Sequence, residues 1–275
     1  MSVLQAVVLG LVQGITEFLP VSSIAHLRIV PAFLGWPDPG AAFSAVIQLG
    51  TLVAVLIYFA RDIGDLGGAA LAGLARGRPL EDHRARLGWF IVLGTFPIGI
   101  CGLTFKKLIE NEARSLYVIA GTLIVLGFLL WVAERRGGFQ KSLEAVGFRE
   151  SQIVGVAQAL ALVPGTSRSG ITITAGLFLG LTRDTAARFS FLLGIPAILA
   201  AGLFELRALL RHGLGDGGFL ALGVASAVSA VSGYLAIAFL LRYLRTHTTH
   251  LFVWYRLALG ALLLALLASG HLAHL

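Results

Sequence analysis

The chain is 275 residues long; 57% of these are apolar, 34 more are glycine, and only 13% are charged. Soluble domains carry roughly 25% charged residues; with a mean hydropathy of +0.88, a water-soluble globule and a disordered chain are both excluded. The formal charge of +7 sits in short segments between apolar runs, which fits positive-inside membrane topology rather than nucleic-acid binding. The sequence predicts an all-α polytopic membrane protein. Cys101 is the single cysteine, so an intrachain disulfide and a cysteine-based metal site are excluded. The first twenty residues lack a charged n-region and an A-x-A site, and they read as mature protein.

In chain order, the first apolar pieces are 3–18 and 21–34, interrupted at Pro20-Val21-Ser22-Ser23. Proline ends a helix, and a following serine caps the next one. Both pieces are short for a crossing, so 3–34 reads as a re-entrant helical hairpin. Charge-free runs at 39–60, 87–105 and 115–133 follow, each about the ~20 residues a spanning helix needs. A second hairpin, 152–181, is built from 152–163 and 170–181 and interrupted at Pro164-Gly165-Thr166-Ser167. Runs at 189–204, 217–241 and 257–275 complete six transmembrane helices.

The two halves repeat. Ser23 and Ser167 each stand three residues after their proline, and Gln13 and Gln158 precede it by seven and six. Ser23 to Ser167 is 144 residues and Phe43-Ser44 to Phe189-Ser190 is 146. One membrane domain, 1–275, therefore divides into a first repeat, 1–133, and a second, 152–275. Three crossings per half invert the second relative to the first, a transporter-like arrangement. With both termini outside, the inner loops 61–86, 134–151, 183–188 and 242–256 hold fourteen Lys and Arg against six outside, with Arg168 in a break.

Ionisable residues at membrane depth are expensive and default to function. Gln13 and Glu17 are i,i+4 on one helix face, and after the break Ser22, Ser23 and His26 share another. The second break supplies Ser167, Arg168, Ser169 and Thr172 with a helix N-terminus. An arginine fork and free N–H groups make an anion site. A structural alternative pairs Arg168 simply with Glu17. Gln48 and Gln158 read as interhelical hydrogen-bonding residues. Glu205, Arg207 and Arg211 read as a solvated helix end, and His247, His250, His271 and His274 as tail or interface residues. The four Trp and five Tyr read in part as interface markers.

The segments Q-G-I-T-E-F-L-P-V-S-S-I-A-H-L (13–27) and P-G-T-S-R-S-G-I-T (164–172) resemble the undecaprenyl-diphosphatase, or BacA bacitracin-resistance, family. F-S-A-V-I-Q-L-G-T (43–51) and R-F-S-F-L-L-G-I-P (188–196) support the likeness along the whole chain. The resemblance implies removal of the terminal phosphate from a C55 polyprenyl diphosphate. That reaction recycles the lipid carrier for cell-wall synthesis and confers bacitracin resistance. It also implies a divalent cation, a bacterial inner-membrane location and a site open to the outer side. Gln13 and Glu17 match the family's E/Q-x-x-x-E element, tied to metal and catalysis. Ser22, Ser23 and His26 match P-V-S-S-x-x-H, and Arg168 matches the arginine of P-G-x-S-R-S-G. Position 13 is Gln where many members have Glu, and Ile24 replaces a residue often small or hydroxylic.

The expected catalytic set is Glu17, Ser23, His26 and Arg168. Gln13, Ser22, Ser167, Arg168, Ser169 and Thr172 would bind substrate, and Glu17 and Gln13 would hold Mg²⁺ or Ca²⁺. Ser23 attacks phosphorus or orients a water, with Glu17 or His26 taking the proton; alternatively His26 is the nucleophile. The partners are the polyprenyl diphosphate and membrane lipids, not nucleic acid, with a homodimer left open. The rival function is a transporter or flippase for an anionic lipid or small anion.

Overall fold

The computed structural model describes residues 1–105, 115–212 and 218–272. Among these are eleven α-helices and no sheet. The first hairpin is α1 (Val3–Phe18) and α2 (Ser23–Leu34). Ser2 and Gln5 form a capping box that starts α1, and the chain leaves the helix just before Pro20. The second hairpin is α7 (Phe148–Ala159), extended by a 3₁₀ turn at Leu160–Leu162, and α8 (Arg168–Phe178). The longest of these four has 16 residues, or about 24 Å at 1.5 Å per residue. That falls short of the ~30 Å hydrocarbon core, so both hairpins enter and turn back.

Among the described residues, six helices are long and apolar enough to cross a membrane: α3 (Gly40–Tyr58), α5 (His83–Thr104), α6 (Leu116–Arg136), α9 (Arg183–His212), α10 (Gly218–Leu244) and α11 (His250–Ala268). The protein is therefore a multi-pass membrane protein with an inverted repeat. The packing displays the repeat: α1 lies on α10 and its counterpart α7 on α5, while α3 packs on α9 and α6 on α11. The first pair of interfaces uses equivalent glycines. A Cβ at Gly10 would sit 2.5 Å from the Ala225 carbonyl oxygen, and one at Gly155 would sit 2.3 Å from that of Gly94. Small residues let membrane helices approach backbone to backbone.

Gly10 and Gly155 are 145 residues apart, as are Gln13 and Gln158, and so are the N-caps of α2 and α8, Ser22 and Ser167. The spatial register is thus 145, and Ser167 corresponds to Ser22, not to Ser23 as the spacing from proline predicts. The second break turns one residue later relative to its proline.

Three further expectations change. Residues 61–86 contain a helix, α4 (Ala60–Ala75), which packs on α5. Arg183 and Arg188 belong to the first turns of α9 rather than to a loop. The last crossing begins at His250, seven residues before the expected 257, because Arg256 is not a loop residue. It is 1% exposed inside α11. A charge marks a membrane boundary only when water solvates it, and here backbone carbonyls do. The expected positions Lys106, Lys107, Arg114, Gly217 and His274, and residues 273–275 of the last run, lie outside the described residues.

Candidate active site

Glu17 is the hub. It is 6% exposed near the end of α1, and both carboxylate oxygens are engaged. Oε2 accepts from the Ser23 hydroxyl at 2.5 Å and from Gln13 Nε2 at 2.9 Å. Oε1 accepts from Arg168 Nη2 at 3.0 Å. The ion pair therefore joins the two hairpins across their breaks. Ser169 strengthens the junction: its hydroxyl reaches the carbonyls of Glu17 and Leu19 at 3.2 and 3.1 Å. A buried charge survives only when paired and hydrogen-bonded, and Glu17 has both.

The local backbone explains how side chains from two short helices converge. Ser22 and Ser167 have φ of 75° and 70°, a region that non-glycine residues rarely adopt. Each side chain then caps its helix, Ser22 accepting from Ala25 N–H at 3.4 Å and Ser167 from Gly170 N–H at 3.1 Å. This geometry places Ser23 and Arg168 at equivalent first helical positions of α2 and α8. Backbone strain of this kind, worth on the order of 1–3 kcal/mol per residue, concentrates at functional sites.

Arg168 spends one nitrogen on Glu17. Its Nε and Nη1 are buried without a hydrogen-bond partner, so they are available to an incoming anion. Gly194 on α9 makes the space, since a Cβ there would lie 2.0 Å from Nη1. Beside this cluster lies a cavity of about 440 Å³. Its polar lining includes Glu17, Ser22, Ser23, Ser167 and Arg168, and its apolar lining includes Ile98, Leu103, Leu162, Ile198 and Phe204. Ser44, Gln48 and Glu205 also face it. Glu205 is half-buried and lines the cavity, so it is more than the solvated helix end its neighbours suggest.

Gln13, His26, Ser169 and Thr172 do not line the cavity. His26 Nδ1 lies 2.7 Å from the Ser22 carbonyl and Nε2 lies 2.6 Å from the Tyr255 hydroxyl. A carbonyl only accepts, so Nδ1 carries the proton and, in the neutral ring, Tyr255 donates to Nε2. His26 thereby ties α2 to α11, and its ring stacks on Tyr255 with centroids 5.6 Å apart. The Thr172 hydroxyl meets Ser190 at 2.6 Å and the Arg168 carbonyl at 2.7 Å, joining α8 to α9. Gln158 makes no interhelical hydrogen bond: it is fully buried and neither amide atom has a partner.

Two residues at this site, Tyr255 and Arg256, escape sequence reasoning. They sit beside Trp254 in a stretch that resembles a membrane-interface boundary. The available signal is the absence of any acidic residue between 217 and 275 to balance Arg256.

Among the described residues, no three His, Cys, Asp or Glu side chains come together. A metal at this site would be held by Glu17 with neutral oxygens. Gln13 would join it with its amide turned over, since Nε2 now bonds Glu17 while Oε1 is buried without a partner. Carboxylate, amide carbonyl and hydroxyl are the oxygen donors that hard cations such as Mg²⁺ and Ca²⁺ prefer.

Residues 6–262 match the family described as bacitracin resistance protein BacA. The chain belongs to that family. Relatives at high identity span nearly the whole of both chains. One from Myxococcus xanthus is 58% identical over 273 residues, covering 99% of this chain and 92% of its own. One from Chloroherpeton thalassium is 54% identical over 280 residues, with 99% of each chain covered. A third, from Chlorobaculum tepidum, is 52% identical with the same coverage. All three carry the name undecaprenyl-diphosphatase. Both hairpin breaks, the second hairpin and Arg256 fall within the segment that matches the BacA family.

Proposed function

We propose that this chain is an undecaprenyl-diphosphate phosphatase of the bacterial inner membrane. It hydrolyses the C55 diphosphate to the monophosphate and inorganic phosphate, and so recycles the carrier for cell-wall precursors. The observation that carries this reading is the pairing of Ser23 with Glu17 at 2.5 Å and of Glu17 with Arg168 at 3.0 Å. These groups border a cavity whose further lining is mainly apolar, with Ser44, Gln48 and Glu205 among it, which suits a lipid with an anionic head. A carrier needs the anion site but has no use for a hydroxyl hydrogen-bonded to a base.

Ser23 Oγ attacks the terminal phosphorus and its proton passes to Glu17. The bond from phosphorus to the bridging oxygen breaks, and undecaprenyl phosphate leaves. Glu17 gives its proton to solvent and takes one from a water that attacks the phosphoserine. It returns that proton to Ser23 as inorganic phosphate departs. Arg168 Nε and Nη1 hold the phosphoryl oxygens, because positioning and charge stabilisation dominate phosphoryl transfer. A divalent cation held by Glu17 and Gln13 would supply additional neutralisation of the diphosphate. His26 orients the first turn of α2, which carries Ser23.

With Arg256 removed from the count, the inner loops and the helix ends that flank them hold thirteen Lys and Arg against six outside. That bias favours both termini, and the cavity mouth, on the outer face. The test is phosphate release from undecaprenyl diphosphate by purified protein in detergent, with and without Mg²⁺ or Ca²⁺. Release that Glu17→Gln abolishes is expected; no release with any cation overturns the reading.

A further inference from the structure

Arg256 is fully buried in α11, yet its partners are all backbone carbonyls. Nη1 donates to Pro20 in the first break at 3.1 Å. Nη2 faces Gly165 at 3.0 Å and Thr166 at 3.1 Å in the second break. Nε and Nη2 also reach Leu123 and Thr122 of α6 at 3.3 Å each. One rigid guanidinium therefore touches both hairpin breaks and the helix behind them. Thr122 adds its own hydroxyl, which donates to Pro164 at 2.8 Å.

The helix carrying Arg256 is held close. A Cβ at Gly127 of α6 would lie 3.2 Å from Arg256 Cβ, and one at Gly260 of α11 would lie 3.0 Å from the Ala120 carbonyl. On the site side, a Cβ at Gly170 would lie 3.0 Å from Arg256 Nη1. The guanidinium thus lies against the first turn of α8, which begins with Arg168. Pro20 is three residues before Ser23, and Thr166 two before Arg168.

We propose that Arg256 is a positioning residue: by gripping both breaks it fixes the separation of Ser23 from Arg168. The proposal rests on the phosphatase reading above. The planar fork is essential, since an ammonium offers three donors from a single point and cannot span carbonyls from three segments. Catalytic geometry is sensitive at this scale, and misplacement by about 1 Å costs on the order of 100-fold in rate.

The experiment is steady-state kinetics on undecaprenyl diphosphate for Arg256→Lys, Arg256→Gln, Arg168→Ala and the double variant Arg168→Ala/Arg256→Gln, each checked for thermal unfolding in detergent. Arg256→Lys should remain folded, with kcat reduced about 100-fold and KM nearly unchanged. Arg256→Gln should lower kcat in wild-type background but add little once Arg168 is gone, because its effect runs through Arg168. If Arg256→Gln does not fold, Arg256→Lys alone decides. Wild-type turnover in Arg256→Lys, or fully multiplicative losses in the double variant, would overturn the proposal. Absence of turnover in the unmodified protein is a different result and condemns the phosphatase reading instead.

Discussion

Ser22 and Ser167, 145 residues apart, share one strained backbone conformation and one task. Each holds φ near 70–75° while its hydroxyl caps the following helix. The two breaks are the same turn used twice, and the functional difference lies in the next residue, Ser23 in one and Arg168 in the other.

That turn makes a stability prediction. Ser167→Gly loses the cap but relieves a φ that glycine tolerates, so it should stay within about 1 kcal/mol of wild type. Ser167→Ala loses the cap and keeps the strain, and should cost about 1–2 kcal/mol. Thermal unfolding in detergent separates the two; an alanine variant as stable as the glycine variant would contradict the strain.

Arg168 is expected to act through its fork. Arg168→Ala should lower kcat by about 10²–10³-fold, the usual cost of losing a charge-stabilising donor. Arg168→Lys should recover less than tenfold of that loss. Near-complete recovery would mean that only a positive potential is needed there.

Gln13 bonds Glu17 through Nε2 and leaves Oε1 free. Gln13→Glu should leave the enzyme active and tighten divalent-cation dependence about tenfold, or ~1.4 kcal/mol. The cation concentration at half-maximal activity measures it. An unchanged titration in a folded variant would remove position 13 from the cation site.

Gly155 packs against Gly94 with no room for a methyl group. Gly155→Ala should therefore destabilise by about 1–3 kcal/mol. Gly121, where an added Cβ would meet nothing within 4 Å, provides the comparison: Gly121→Ala should be neutral or slightly stabilising. Equal midpoints for the two variants would show that the α5–α7 contact is loose.

Much of this is legible in the sequence. Proline followed by serine locates both breaks, and charge-free runs locate the six crossings, since both depend on local chemistry. Arg256 is not legible, because its cost is offset by carbonyls from three distant segments that only the fold assembles. For the same reason it displaces the start of α11 by seven residues. The sequence places His26 on the helix of Ser23, but its ring direction depends on Tyr255, 229 residues away. The repeat is visible in spacing, while its register of 145 needs the cap geometry at Ser22 and Ser167.

The central claim is that Ser23, activated by Glu17, takes up the phosphoryl group. Rapid quench with undecaprenyl diphosphate labelled in its terminal phosphate, followed by acid treatment and peptide mapping, tests it most directly. Acid-stable label is expected on the peptide carrying Ser23, appearing before inorganic phosphate and absent from Ser23→Ala. Acid-labile label on His26, or a burst of phosphate with no label on the protein, would contradict it.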